Sequence, residues 1–355
     1  MPIVLPVPDK QCLIGMSKIF VSNESPRSKP PGIDQERLNT IMLDLKDRQI
    51  LYELSCNARI PAKALAKKMG LSVSSTVYRL KRLYEKKIIL GTSVIVDSYK
   101  LGYEGYRIYF KFFSTTTQKE KEILNWLIDE KAASVVGLSE GDADVLVQSW
   151  VKKRKEFEDL FYEFKKRYKD CIDHLIIDMY VGTYYFTKRH FIEGTTDNQI
   201  ITIGKQELEE YDELDLKIIE LLNQDARLSV LLIAQKLGKS PSTITFRLRN
   251  LENKKIICGY TVNINYELLG IEYYKLGIIL TKNVSERQLV SFTSSIKQSI
   301  FIDKSFCEFD FEPNLEVHSH AELLSIIERI KNEFGGIRRM NIFKIRNYLK
   351  FRYGS

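Results

Sequence analysis

Two stretches of this 355-residue chain gather side chains suited to gripping a polyanion rather than to breaking bonds. Between Val73 and Glu85, winding the residues at about 100° each puts Leu80, Val77 and Leu83 on one side. Ser75, Tyr78 and Arg82 then face the other way, flanked by Ser74, Arg79 and Lys81, and no carboxylate occurs before Glu85. A merely solvated helix face mixes signs. The second stretch repeats the pattern with Thr243, Phe246 and Asn250, flanked by Ser242, Arg247 and Arg249, again without an acid. Lysine and arginine neutralise phosphates and carry affinity, while base edges must supply specificity. Lys86, Lys87, Lys254 and Lys255, which follow the two stretches, are candidate phosphate contacts. Ser75, Tyr78 and Arg82, with Thr243, Phe246 and Asn250, are candidate base readers, because arginine suits guanine and asparagine suits adenine. Phe246 suits core packing in a slightly rotated helix equally well. The contrast of Arg82 with Asn250 predicts two unequal half-sites on double-stranded DNA.

Other chemistries lack their residues. The four histidines are His174, His190, His318 and His320, and only His318-Ser-His320 places two together, a poor ligand set. There is no glycine-rich phosphate loop and no nucleophile elbow. No catalytic residue, metal or cofactor is expected. The five cysteines are odd in number with no close pair, a pattern for a reducing compartment rather than for disulfides or zinc. Prolines break the apolar start, and no run reaches the roughly 18 apolar residues of a membrane span. A cytoplasmic protein with no membrane partner is expected. The net charge of +8 fits nucleic acid but does not single it out.

The elements that must position these faces come from a duplication. At an ungapped offset of 168, residues 58–108 match 226–276 at 20 of 51 positions, including Ala58-Arg59 with Ala226-Arg227 and Lys86-Lys-Ile-Ile89 with Lys254-Lys-Ile-Ile257. Each copy opens with an apolar helical stripe. In the first copy a short helix over Ala62 to Met69 ends at Gly70, and Ser72 caps a third helix to about Glu85. In the second, Ser240-Pro241 does the capping. The β-branched runs Ile88 to Val96 and Ile256 to Ile264 read as wing or hinge strands. Later segments follow the order β-α-β-β-α-β. The expected architecture is α+β: two tandem units, each a winged helix-turn-helix followed by a ferredoxin-like βαββαβ regulatory domain. The boundaries are a flexible arm over 1–36, heads over 37–97 and 209–265, regulatory domains over 98–190 and 266–355, and a linker over 191–208.

Leu43-Asp-Leu-Lys-Asp47, Ile50, Ala58-Arg59, Leu65-Ala66, Gly70-Leu-Ser72 and Arg79 through Ile89 resemble the head of the Lrp/AsnC (feast/famine) family of transcription regulators. Gly141-x-x-Asp144 before a Val-Leu-Val strand resembles that family's effector loop. The resemblance implies an amino-acid-like effector near Gly141, Asp142 and Asp144. It also implies regulatory sheets paired face to face, here as an internal pseudo-dimer with further homo-oligomerisation. Three features depart from the pattern. Lys87 and Lys255 stand where glycine is usual, Ala143 replaces an aromatic, and the second loop, read as Phe311-Glu-Pro-Asn314, has lost its glycine. Two alternatives share the fold or the partner: a haem-pathway decarboxylase, whose characteristic histidine is missing here, and an architectural DNA-organising protein.

Overall fold

The computed structural model describes residues 42–194, 199–204 and 207–351; the arm expected over 1–36 lies outside them. The first unit runs α1 (Leu45–Cys56), α2 (Ala62–Met69), α3 (Val73–Glu85), β1 (Ile89–Val96), β2 (Glu104–Phe112), α4 (Thr117–Asp129), β3 (Val135–Gly141), β4 (Val145–Val151), α5 (Arg154–Tyr168) and β5 (Ile172–Phe186). A connecting strand, β6 (Ile200–Ile203), follows. The second unit runs α6 (Glu213–Gln224), α7 (Val230–Leu237), α8 (Pro241–Asn253), β7 (Ile257–Ile264), β8 (Glu272–Leu280), α9 (Glu286–Ser294), β9 (Ser299–Phe306), β10 (Glu312–Val317), α10 (His320–Phe334) and β11 (Ile337–Phe351). None of the described helices is long and apolar enough to cross a membrane.

Local signals set the head helices. The Ser72 and Ser240 hydroxyls accept from the amides of Ser75 and Thr243, and α2 and α7 stop at left-handed Gly70 and Gly238. The heads are not separate along the chain, however. β1 and β7 pair with each other, with Val94 opposite Tyr260 and Thr92 opposite Val262. Each strand packs into the other copy's head. Val262 and Ile264 join the core of Ile50, Leu54, Leu65, Leu80 and Leu83, while Val94 and Val96 join Ile218, Leu222, Ile233, Ile244 and Leu251. The expected boundaries at 97 and 265 therefore cut through exchanged cores. The strands act as a shared hinge ribbon, and among the described residues neither head has a wing hairpin of its own.

Each regulatory unit has the ferredoxin-like strand order, β5-β2-β4-β3 and β11-β8-β10-β9. Their edges meet antiparallel. β11 pairs with β3, β9 pairs with β5, and the ring of eight strands closes within one chain. The pseudo-dimer is thus built from intrachain sheet pairing. The 191–208 linker is not featureless either: Ile200–Ile203 add β6 to the β5 edge, and Phe191 is buried in the first head.

Alternation along each strand sorts the barrel into two surfaces. Tyr106, Ile108 and Phe110 face α4 and α5, packing with Phe157, Leu160 and Phe164, while Leu276, Ile278, Leu315 and Val317 pack against α10. The intervening residues Arg107, Tyr109, Asp178, Lys275, Asp303 and Glu312 therefore point inward. Arg107 pairs with Asp303 (2.7 Å), Glu312 (3.0 Å) and Asp178 (3.5 Å), and Lys275 with Asp303 (2.6 Å) and Glu312 (2.9 Å). Bulk is exchanged between the copies at one layer. Tyr109 stands beside Ala143 in the first, and Gly277 lies under the Phe309 ring in the second, where a Cβ would come within 2.6 Å of that ring.

Candidate nucleic-acid interface

The third helix of each head carries an aromatic ring on its solvent side. Tyr78 is 66% exposed and Phe246 is 68% exposed, at equivalent positions of α3 and α8. Core packing of Phe246 is thereby excluded. Ser74, Lys81, Lys86 and Lys87 are exposed around Tyr78, with Ser75 half-buried. Around Phe246, Ser242, Arg249 and Lys255 are exposed, and Thr243 and Asn250 are half-buried.

Four cations expected on this surface are tied to other parts of the heads, and exposed Lys81 lies 3.5 Å from Glu85 on its own helix. Arg79 donates to Asp44 (2.6 Å) and Asp47 (2.8 Å), and Arg82 pairs with Asp47. Arg247 reaches Asp212 (2.8 Å) and Asp215 (3.2 Å). Asp47 and Asp215 are buried in the heads, so their charges require these partners. The arginines lock the third helix to the first. Burial pushes the Asp44 carboxyl up, but hydrogen bonds from Arg79 and the Asp47 amide outweigh it and leave it below its ordinary value. Lys254 donates to the Glu210 carbonyl (2.6 Å) and lies 3.7 Å from the Glu209 carboxylate. Arg82, Arg79, Arg247 and Lys254 thus hold the heads together in the free chain, a correction to their expected role.

A pair of arginines missed by the sequence reading joins the heads. Arg59 donates to the carbonyls of Ala226 and Leu228 (3.0 Å for the latter), and Arg227 donates to those of Ala58 and Ile60 (3.4 Å for the latter). The residues were in view, since they anchor the repeat; what the sequence did not show is that each arginine reaches the other copy's head.

Lys87 and Lys255 have φ of 55° and 57°, the left-handed region that glycine normally fills at a helix end. Such a conformation costs a side-chain-bearing residue about 1–2 kcal/mol. Replacing either lysine by glycine is expected to stabilise the protein by about 1 kcal/mol, less the added chain entropy. A denaturant midpoint lowered by Lys87→Gly would show that any strain stored there is smaller than the chain entropy that glycine adds.

The expected effector loop is occupied by the protein itself. Gly141 has φ of 104°, and a Cβ there would lie 2.2 Å from the Ile342 carbonyl oxygen of β11. Asp142 donates its amide to that oxygen (3.0 Å) and accepts at its carboxylate from the Ile342 amide (2.6 Å). Asp144 accepts from the Phe112 amide (2.9 Å). The glycine admits the other copy's strand, and the acids cap backbone amides. Gly141 and Asp142 thus hold β11 of the second copy against the loop, and Asp144 ties the loop to β2. The second loop is also shifted from its expected place. Asp310 accepts from the Leu280 amide (2.8 Å) as Asp144 does from Phe112, so the counterpart is Cys307-Glu-Phe-Asp310, not Phe311 to Asn314. The offset has fallen from 168 to 166, which an ungapped comparison misses.

With this geometry in place, comparison with known proteins decides the family. A profile of the AsnC-type helix-turn-helix domain matches residues 43–84, and one of a winged helix-turn-helix DNA-binding domain matches 211–257. The transcriptional regulator LrpA of Pyrococcus horikoshii is 31% identical over 119 residues, 34% of this chain and 83% of that protein. The chain belongs to the Lrp/AsnC family. Like the members it matches, this Lrp/AsnC protein is a DNA-binding transcription regulator. An uncharacterised helix-turn-helix regulator of Pyrococcus furiosus is 49% identical over 63 residues, but that match spans only 18% of this chain and 43% of the relative. Over its full length the fold is similar to that of the sirohaem decarboxylase NirDL, with a TM-score of 0.57 across 87% of this chain and 93% of that one, at 14% identity. At that identity the likeness concerns the fold alone.

Proposed function

We propose that this Lrp/AsnC regulator engages double-stranded DNA as one preformed pair of unequal heads and reads two different half-sites. The observation that carries the reading is the exposed aromatic on each third helix, set among hydroxyls and cations with no acid before Glu85 in α3 or Glu252 in α8. Tyr78 with Ser75, and Phe246 with Thr243 and Asn250, reach base edges; an aromatic ring suits a thymine methyl, and Asn250 suits adenine. Lys81, Lys86, Lys87, Arg249 and Lys255 meet phosphates. The strained lysines support this use, since backbone strain persists where the side chain has a role. Arg82, tied to Asp47, positions the helix and leaves guanine reading aside. The protein works in the cytoplasm as a regulator rather than an enzyme, and larger assemblies of such pairs belong to the same reading.

Selection of binding sites from random duplexes tests it. Tyr78→Ala is expected to relax one half-site and Phe246→Ala the other, by about 1–3 kcal/mol each, whereas Lys86→Ala weakens all sequences evenly and lowers the salt slope by about one. Even losses across all sequences in both aromatic variants would point to an architectural DNA-organising protein instead.

A further inference from the structure

Within the barrel, beside the seam where β5 meets β9, Asp178, Cys307 and Glu312 converge. One ligand atom from each, the thiol sulfur and two carboxylate oxygens, lies within 4.8 Å of the others. Asp178 is fully buried, and neither of its carboxylate oxygens has a hydrogen-bond partner. Such a group is costly unless something unseen completes it. Arg107 approaches one of these oxygens only at 3.5 Å, and the nitrogen that does so, Nη2, already donates to Glu312 (3.0 Å) and to the Ser305 hydroxyl.

We propose that Asp178, Cys307 and Glu312 form a site for a thiophilic divalent transition-metal ion, with zinc as its simplest occupant. The free atoms face one another. The Glu312 Oε2 oxygen takes Arg107 (3.0 Å) and Lys275 (2.9 Å), leaving Oε1 for the Cys307 sulfur at 3.6 Å. A tetrahedral zinc ion, with sulfur at about 2.3 Å and oxygen at about 2.0 Å, sets those two ligands about 3.5 Å apart. The Phe309 amide donates to the sulfur (3.4 Å), the kind of contact that steadies a bound thiolate.

Charge agrees with this assignment. Arg107 and Lys275 face Asp178, Asp303 and Glu312, one negative charge in excess. Binding a divalent ion with release of the Cys307 thiol proton to solvent brings the group to neutrality. Cys307 is half-buried just past the end of β9, between exposed Phe306 and Glu308, so the ion has an entry route. The ligands come from both copies, Asp178 from β5 of the first and the others from the β9–β10 turn and β10 of the second. The metal would therefore strap the barrel across its seam.

Titration of the metal-free full-length protein with Co2+ tests the proposal without reference to DNA. Wild type is expected to bind about one Co2+ per chain with thiolate-to-cobalt charge-transfer absorption in the near ultraviolet, competed away by Zn2+. Cys307→Ser should abolish the band, Asp178→Asn should weaken binding at least about tenfold with circular dichroism unchanged, and Cys258→Ser should leave both intact. Absence of the band in wild type, or its survival in Cys307→Ser, overturns the assignment. Cys307 is half-exposed, so its serine variant keeps the fold even where Asp178→Asn loses it.

Discussion

Arg107→Ala is expected to lower the stability of the protein by about 3–5 kcal/mol, the cost of leaving buried carboxylates without their cation. Arg107 is 4% exposed and lies between Asp303 and Glu312, with Asp178 on its third side. Burial pushes its guanidinium pKa down, but Tyr109 and the carboxylates of Glu312, Asp303 and Asp178 more than compensate and hold it well above the ordinary value. Burial and Arg107 likewise push the Lys275 ammonium down, yet Asp303 and Glu312 keep it above its usual range. Lys275 alone cannot serve three carboxylates. Arg107→Lys should recover only part of the loss, because an ammonium lacks the planar fork that spans several oxygens. Tryptophan fluorescence during urea unfolding reports the change, since Trp126 and Trp150 both belong to the first regulatory unit. A loss below about 1 kcal/mol would mean that the interior relaxes or hydrates around the cavity, and that these ion pairs do not hold the barrel.

Acid is expected to remove roughly 3 kcal/mol through Glu316. This fully buried carboxylate pairs with Lys188 and with His190 (2.6 Å) and accepts from the Tyr266 hydroxyl (2.6 Å); the His318 ring lies 6.1 Å from that of His190. Burial alone would raise the Glu316 pKa, but the charges of Lys188 and His190, with their hydrogen bonds, bring it down to about 2. An unfolded glutamate titrates near about 4.3. With the folded value depressed, the contribution is complete above about pH 4.3 and is lost as pH falls towards 2. Urea midpoints across that range should fall in wild type and fall less in Glu316→Gln. Parallel curves for the two proteins would remove Glu316 from the account. The Lys188 amide donates to the Ser55 hydroxyl of α1 (3.2 Å), so the same acid step loosens the first head from the barrel.

What the sequence displayed and what it hid divide by range. Caps, left-handed helix ends and the 3.6-residue stripe are local, and they placed α2, α3 and the outward face of Tyr78 correctly. The strain at Lys87 and Lys255 was visible only through the family resemblance, which has glycine at those positions. Exchange of β1 and β7 between the heads leaves no local mark, since a β-branched run reads the same whichever core receives it. Arg79 and Arg82 looked like free cations because Asp44 and Asp47 stand more than 30 residues away. Asp178 and Glu312 are 134 positions apart, and only closure of the ring brings them together. In the effector loop, glycine beside acids has two readings, an open cradle or a tight backbone crossing; the neighbour that decides it, Ile342, belongs to the other copy.

The seams β3–β11 and β5–β9 also bear on how such a regulator responds to its own abundance. Where two heads come from two chains, their partnership is a bimolecular equilibrium, and at low abundance the supply of paired heads grows roughly with the square of chain concentration. Here the partner is always attached, so its effective concentration is fixed by the fold rather than by expression. Dilution at cell division then halves the supply of paired heads without dissolving the pairs. Occupancy of a target follows protein number in simple proportion, and any steepness in the dose–response must arise beyond the single chain.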